Sequence, residues 1–251
     1  MRVRIGTSGW SYKHWLGPFY PKRMRAEEML PWYARHFDTV EINNSFYRLP
    51  SSASFEQWRN RTPHGFCFAV KASRYLTHRK KLRDPREPLD TLFKPASELG
   101  AKLGPILFQL PPRWRVNLER LETFLALLPR DQKCAIEFRD PSWHVRKILD
   151  LLRRHNVAFC IYDMAGFVSP LELTADFAYV RFHGPGEKYQ GKYSARTLKT
   201  WAARIRTWRE SVHEAFVYFN NDPQGHAVRN AQQLRELLLE REGGHRSEEP
   251  R

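Results

Sequence analysis

Eight short runs of β-forming residues recur along the chain, spaced so that a helix fits between most of them. They read "VRIGTS" (3–8), "TVEINNS" (39–45), "FCFAVKA" (66–72), "PILFQL" (105–110), "CAIEFRD" (134–140), "VAFCIYD" (157–163), "FAYVRFH" (177–183) and "FVYFNN" (216–221). Segments of helical spacing lie between them. Among these are "NLERLETFLALL", with Asn117 as N-cap, and "SARTLKTWAARIRTW", opened by Ser194. A third is "PQGHAVRNAQQLRELLLE", with Asp222 ahead of Pro223 in the first turn. Strand–helix alternation builds a parallel sheet. Eight such units in 251 residues fit a closed α/β barrel, the (β/α)₈ TIM-like fold, better than an open doubly wound sheet. The sixth helix is expected to be short or irregular, because "MAGFVSPLELTADF" is interrupted by Gly166 and Pro170. A single barrel domain over 1–240 is expected, with a disordered tail, "REGGHRSEEPR", at 241–251.

Successive side chains of a strand point to opposite faces. In six of these runs, one face carries large apolar residues and the other small or polar ones. Val40 and Ile42 alternate with Glu41 and Asn43, and Phe66, Phe68 and Val70 with Cys67, Ala69 and Lys71. Ile106 and Phe108 alternate with Leu107 and Gln109; Ile136 and Phe138 with Glu137 and Arg139. Val180 and Phe182 alternate with Tyr179, Arg181 and His183, and Val217 and Phe219 with Tyr218 and Asn220. In a barrel the apolar face meets the helices and the other points inward. The polar members gather at the C-terminal strand ends, where barrel enzymes carry their active sites. Interior ion pairs that merely hold the barrel together are the competing explanation, but buried charges seldom stabilise more than apolar packing would.

The mouth so defined holds three cations, Lys71, Arg139 and Arg181, against two anions, Glu41 and Glu137, and so favours an anionic ligand. The loop after the seventh run, "GPGEKYQGKYS", adds glycines together with Lys188, Lys192, Tyr189 and Tyr193. Phosphate sites in barrels often lie beside the loops after strands seven and eight. The chain as a whole carries a formal charge of +15, which favours polyanions but is also common on solvated helix faces. Cys67, Cys134 and Cys160 stand singly in apolar runs and form no CxxC pair, so reduced buried thiols are expected. No apolar run approaches the roughly 18 residues of a membrane span, and "MRVRIGTSGW" lacks a signal-peptide core, so a cytoplasmic protein is expected.

The motifs "GTSGWSYKHWLGPFYP", "VEINNSFYRLP", "FAVKASRYLTH", "ILFQLPP", "EFRDPSW", "YVRFHGP", "YQGKYS" and "YFNNDPQGHAVRNA" together resemble the YecE-like family, domain of unknown function 72. The resemblance covers the chain to about residue 235 and implies a TIM barrel with no settled activity. It is similar in shape to metal-dependent sugar isomerases and abasic-site endonucleases, which is a fold analogy only. Carried over by motif position are Glu41, Asn43, Tyr47, Lys71, Gln109, Glu137, Arg139, Trp143, Arg181, His183, Tyr193, Asn220 and Asn221.

Three functions remain open. In the first, an enzyme acts on a phosphorylated or otherwise anionic substrate, by hydrolase, isomerase or lyase chemistry. Glu41 or Glu137 is then the general base and His183 the proton donor, while Asn43, Tyr47, Lys71, Gln109, Arg139, Trp143, Arg181, Tyr193, Asn220 and Asn221 bind substrate. In the second, a nucleic-acid-binding protein uses the basic run "RYLTHRKKLRDPRE" at 74–87 and the rim aromatics. In the third, a barrel binds a metabolite without turnover. No cofactor is expected. A divalent metal on Glu137, Asp163, His183 and Asp222 is disfavoured, because strand parity turns Asp163 towards the helices and two arginines flank the position.

Overall fold

The computed structural model describes residues 1–187 and 189–240; Lys188 and the expected tail at 241–251 lie outside the described residues. Among the described residues nine strands and seven helices form; the strands are β1 (Arg2–Thr7), β2 (Thr39–Ile42), β3 (Cys67–Lys71), β4 (Leu103–Gln109), β5 (Cys134–Glu137), β6 (Ala158–Met164), β7 (Phe167–Val168), β8 (Phe177–Phe182) and β9 (Glu214–Phe219). Eight of them run parallel in the order β1-β9-β8-β6-β5-β4-β3-β2, and β7 lies antiparallel on β6. Seven helices surround this sheet: α1 (Ala26–Tyr33), α2 (Ser52–Asn60), α3 (Arg86–Ala96), α4 (Leu118–Leu125), α5 (Arg146–Arg154), α6 (Ala195–Thr207) and α7 (His226–Leu239). Among the described residues, no helix is long and apolar enough to cross a membrane.

The outer helices form where the pattern requires. Asn117 and Ser194 accept hydrogen bonds from the amides of Arg120 and Thr197, 2.9 and 3.1 Å away, and so cap α4 and α6. In α5, Ile148, Leu149, Leu151 and Leu152 are buried against the sheet while Arg146 and Arg153 stay exposed. The C-terminal helix starts later than the sequence suggests. Pro223–Gly225 form a 3₁₀ turn, and Gly225, at φ 70°, precedes α7.

Between β6 and β8, where a short or irregular helix was expected, no helix forms. Ala165 and Gly166, at φ 50° and 81°, make a two-residue turn of the kind that joins twisted hairpin strands, pairing Asp163 with Val168 and Met164 with Phe167. The irregularity expected of this segment is therefore a β-hairpin lying against β6.

The cylinder closes at β1 and β2, where a parallel bridge joins Ser8 to Glu41. Beside it the Tyr33 hydroxyl accepts the Thr7 N–H (2.9 Å) and donates to the Thr39 carbonyl (3.0 Å), standing in for a missing rung. Gly6 permits this approach, since a Cβ there would lie 2.2 Å from the Thr39 carbonyl oxygen. Inside the barrel, Cys67, Ala69, Leu107, Ala135, Ala158, Cys160, Phe177, Tyr179, Phe216 and Tyr218 fill the lower part. The charged groups lie above them.

Candidate active site at the barrel mouth

Strand register stacks the inward residues in layers: Glu41 beside Ala69, Lys71 beside Leu107, Gln109 beside Glu137, and Arg181 beside Tyr218 and Tyr162. Arg181 occupies the centre with no exposed surface. One of its terminal nitrogens donates to Glu41 Oε1 and the other to Glu137 Oε2, each at 2.7 Å. Glu41 also accepts from the Ser8 hydroxyl (2.7 Å) and the Tyr179 hydroxyl (2.6 Å), and Glu137 accepts from Arg139 Nε. Burial alone would raise the Glu137 carboxyl, but Arg139 and Arg181 outweigh it and hold it well below the usual carboxylate range. Glu137 is therefore held as an anion, and both glutamates are fixed by hydrogen bonds in one frame around Arg181. A base poised near neutrality, the role expected for Glu137, is incompatible with two arginines on one carboxylate.

His183 is likewise fully buried. Arg139 and Arg181 aim N–H groups at its Nε2 from 2.9 and 3.4 Å, and Glu137 Oε1 lies 3.5 Å from the same nitrogen. Nδ1 faces the Asn220 carboxamide at 3.2 Å. Burial, and then the Arg181 charge, push the imidazole down to about 3. At neutral pH the ring is therefore the neutral imidazole, a far weaker proton donor than the imidazolium that the acid role expected of it would use. Its Cε1 proton signal is expected to hold one chemical shift between pH 8 and 5 in an NMR titration. Because the folded value is depressed, His183 costs stability as pH falls below its ordinary value of 6.5 towards about 3.

Lys71 stands apart from this frame. Its ammonium lies 4.1 Å from the Phe46 ring centroid and has no carboxylate partner among the described residues, although the side chain is only 8% exposed. Burial, and next Arg181, lower it to about 7. Asn43 follows the last residue of β2, next to β3, and Gln109 ends β4 on the other side; the amide oxygens of both are buried without a hydrogen-bond partner among the described residues. Arg181 Nε and Asp222 Oδ1 are also buried without partners there. Buried polar atoms without partners are uncommon in folded proteins and mark places where something else binds. Burial raises the Asp222 carboxyl to about 7.

Other expected site residues lie elsewhere. Trp143 is stacked on Phe138, on the helix side of β5, and donates its indole N–H to the Trp114 carbonyl at 2.6 Å, which leaves it no face for a substrate. Tyr193 is buried against β6; its hydroxyl bonds Asp163 and accepts the Gly184 N–H. Asn221 turns outward to the Gly191 carbonyl and Asn230. Both fasten the 184–193 loop. Tyr47 is 75% exposed at the rim, edge-on to Phe46. In the basic run, Arg74, Arg79 and Arg83 are exposed and Lys80 pairs with Asp84. Ser8 and Phe46, which position Glu41 and Lys71, carried no charge or motif parity that would have marked them.

A metal does not fit this mouth. Asp163 is directed outward to Trp201 and Tyr193, and the Glu137 and His183 acceptor atoms are taken by arginines. Among the described residues, no cluster of three or more His, Cys, Asp or Glu side chains is arranged to hold an ion.

The crystal structure of a DUF72 family protein from Thermotoga maritima MSB8 superposes with a TM-score of 0.84 at 31% identity, covering 95% of this chain and 100% of that one. The UPF0759 protein YunF of Bacillus subtilis (strain 168) is 27% identical over 271 residues, covering 94% of each chain. D-Psicose 3-epimerase from Clostridium cellulolyticum H10 shares the barrel fold, with a TM-score of 0.58 at 10% identity. The family model described as "Protein of unknown function DUF72" matches residues 4–251, and the chain belongs to that family.

Proposed function

We propose that the protein is an enzyme acting on a small phosphorylated or carboxylated substrate, which it receives at the C-terminal mouth of the barrel. The observation that carries this reading is Lys71. Arg139 and Arg181 are neutralised by Glu137 and Glu41, so the surplus positive charge of the mouth resides on a nearly buried amine with no acidic partner. An anion reaching it makes a charge-assisted contact at low dielectric. Asn43 and Gln109 supply the orienting amides, and Asp222, which opens the turn after β9, supplies a carboxyl that burial raises to about 7.

Thermal unfolding in the presence of phosphate, citrate or 3-phosphoglycerate tests this reading. At least one of them is expected to raise the Tm at pH 6.5, because a ligand that binds only the folded state stabilises it. The shift should shrink at pH 8.5, as Lys71 loses its proton above about 7. It should vanish in Lys71→Met and persist in Lys199→Met, on the exposed face of α6. The affinity should respond weakly to added salt, whereas contacts with several nucleic-acid phosphates would weaken steeply. A shift unaffected by Lys71→Met, or none with any anion, overturns the reading.

A further inference from the structure

We infer that the substrate of this site carries a carbonyl group and that the Lys71 amine adds to it to form an imine. This rests on the reading of the mouth as an anion-receiving active site and narrows its substrate to aldehydes and ketones. The Nζ lone pair attacks the carbonyl carbon to give a carbinolamine, whose oxygen then leaves as water. One water is released per imine formed and taken up again on hydrolysis, with no oxidant or reductant involved.

Four features of the geometry support this chemistry. Lys71 is the last residue of β3, and the Ser45 hydroxyl donates to its carbonyl at 2.6 Å, so the backbone beneath the amine is clamped. The glutamates that could hold it as an ammonium are committed elsewhere, Glu41 to Arg181, Ser8 and Tyr179, and Glu137 to Arg139 and Arg181. Nζ itself lies over the face of Phe46 in a nearly buried position; the ring attracts the ammonium, but burial and the Arg181 charge outweigh it and favour the neutral, nucleophilic amine. The Asn43 and Gln109 amides stand at the C-terminal ends of the neighbouring strands, where they can hydrogen-bond the carbonyl oxygen as it becomes hydroxyl and then water.

The charged and titratable groups around Lys71 are Glu41 on β2, Glu137 and Arg139 at β5, Arg181 on β8, and Arg74 and His78 in the turn after β3. The cations among them, together with burial, leave the amine about half unprotonated at neutral pH. A solvated lysine, titrating near 10.4, has on the order of a thousandfold less free amine there.

The test is trapping with borohydride, whose hydride reduces an imine to a stable secondary amine. Protein is incubated at pH 7 with glyceraldehyde 3-phosphate or with glyceraldehyde, then reduced, and the adducts are mapped by peptide mass spectrometry. Lys71 is expected to be labelled at least tenfold faster than Lys199. Labelling should accelerate as pH rises through 7 and should be slowed by inorganic phosphate. Lys71→Arg, which keeps the charge but cannot form an imine, should abolish the adduct at this position and keep the Tm shift with phosphate. Preferential labelling of Lys71 by both aldehydes alike, with no protection by phosphate, supports the imine and sinks the anion reading. Labelling of Lys71 no faster than Lys199 overturns the imine, even where phosphate still raises the Tm.

Discussion

Arg181→Met is expected to destabilise the protein by about 3–5 kcal/mol at pH 7, the usual cost of stripping one partner from a buried charge pair. The substitution keeps the length of the stem and removes the guanidinium that touches Glu41 and Glu137 at 2.7 Å each. Urea unfolding should show the loss, and Arg181→Met combined with Glu41→Gln should recover part of it by removing a stranded anion. Acid gives a second signature. Glu137 has a depressed folded value, so its contribution in the wild type is present above its ordinary 4.5 and fades as pH falls below that. The gap between wild type and variant should therefore narrow below about pH 4.5. A gap that stays constant down to pH 3, or a variant as stable as wild type at pH 7, would show that the frame is not held by these charges.

Gly6→Ala should be nearly as damaging, through sterics. The new methyl would stand 2.2 Å from the Thr39 carbonyl oxygen and 2.9 Å from the Tyr33 hydroxyl, so β1 and β2 must part and the inserted hydroxyl must move. Ordinary overpacking costs about 1–3 kcal/mol, and a collision with backbone belongs at or above the upper end of that range. Hydrogen exchange at the Thr7 amide, which donates to Tyr33, should accelerate along with the loss of stability. Gly186→Ala is the matched control, because a Cβ there meets nothing within 4 Å, and it should leave Tm unchanged.

Alternation in the sequence located the charged interior because a strand has one degree of freedom, its parity, and the apolar face fixes it. Glu41, Lys71, Gln109, Glu137, Arg139, Arg181 and His183 all follow that rule. Parity says nothing of pairing across the barrel. It could not show that Arg181 would take both glutamates and leave Lys71 alone, since that depends on stagger between strands distant in sequence. The rule carries a residue or two past a strand end, to Arg139 and His183, and then lapses: Trp143, Tyr193 and Asn221 sit in the connections, and their hydrogen bonds are satisfied by outer elements. The missing helix escaped for a local reason. Ala165–Gly166 lacks the Asn-Gly signature of a tight hairpin, although its backbone adopts the same left-handed turn.

The cancellation of charge among Arg139, Arg181, Glu41 and Glu137 has a bearing on any chemistry at the mouth. Dipoles and ions already fixed in place need not reorient when a reacting group gains or loses a proton, so little reorganisation energy accompanies the step. The side chains of this quartet should superpose whether the barrel is empty or occupied, leaving adaptation to Lys71 and the rim.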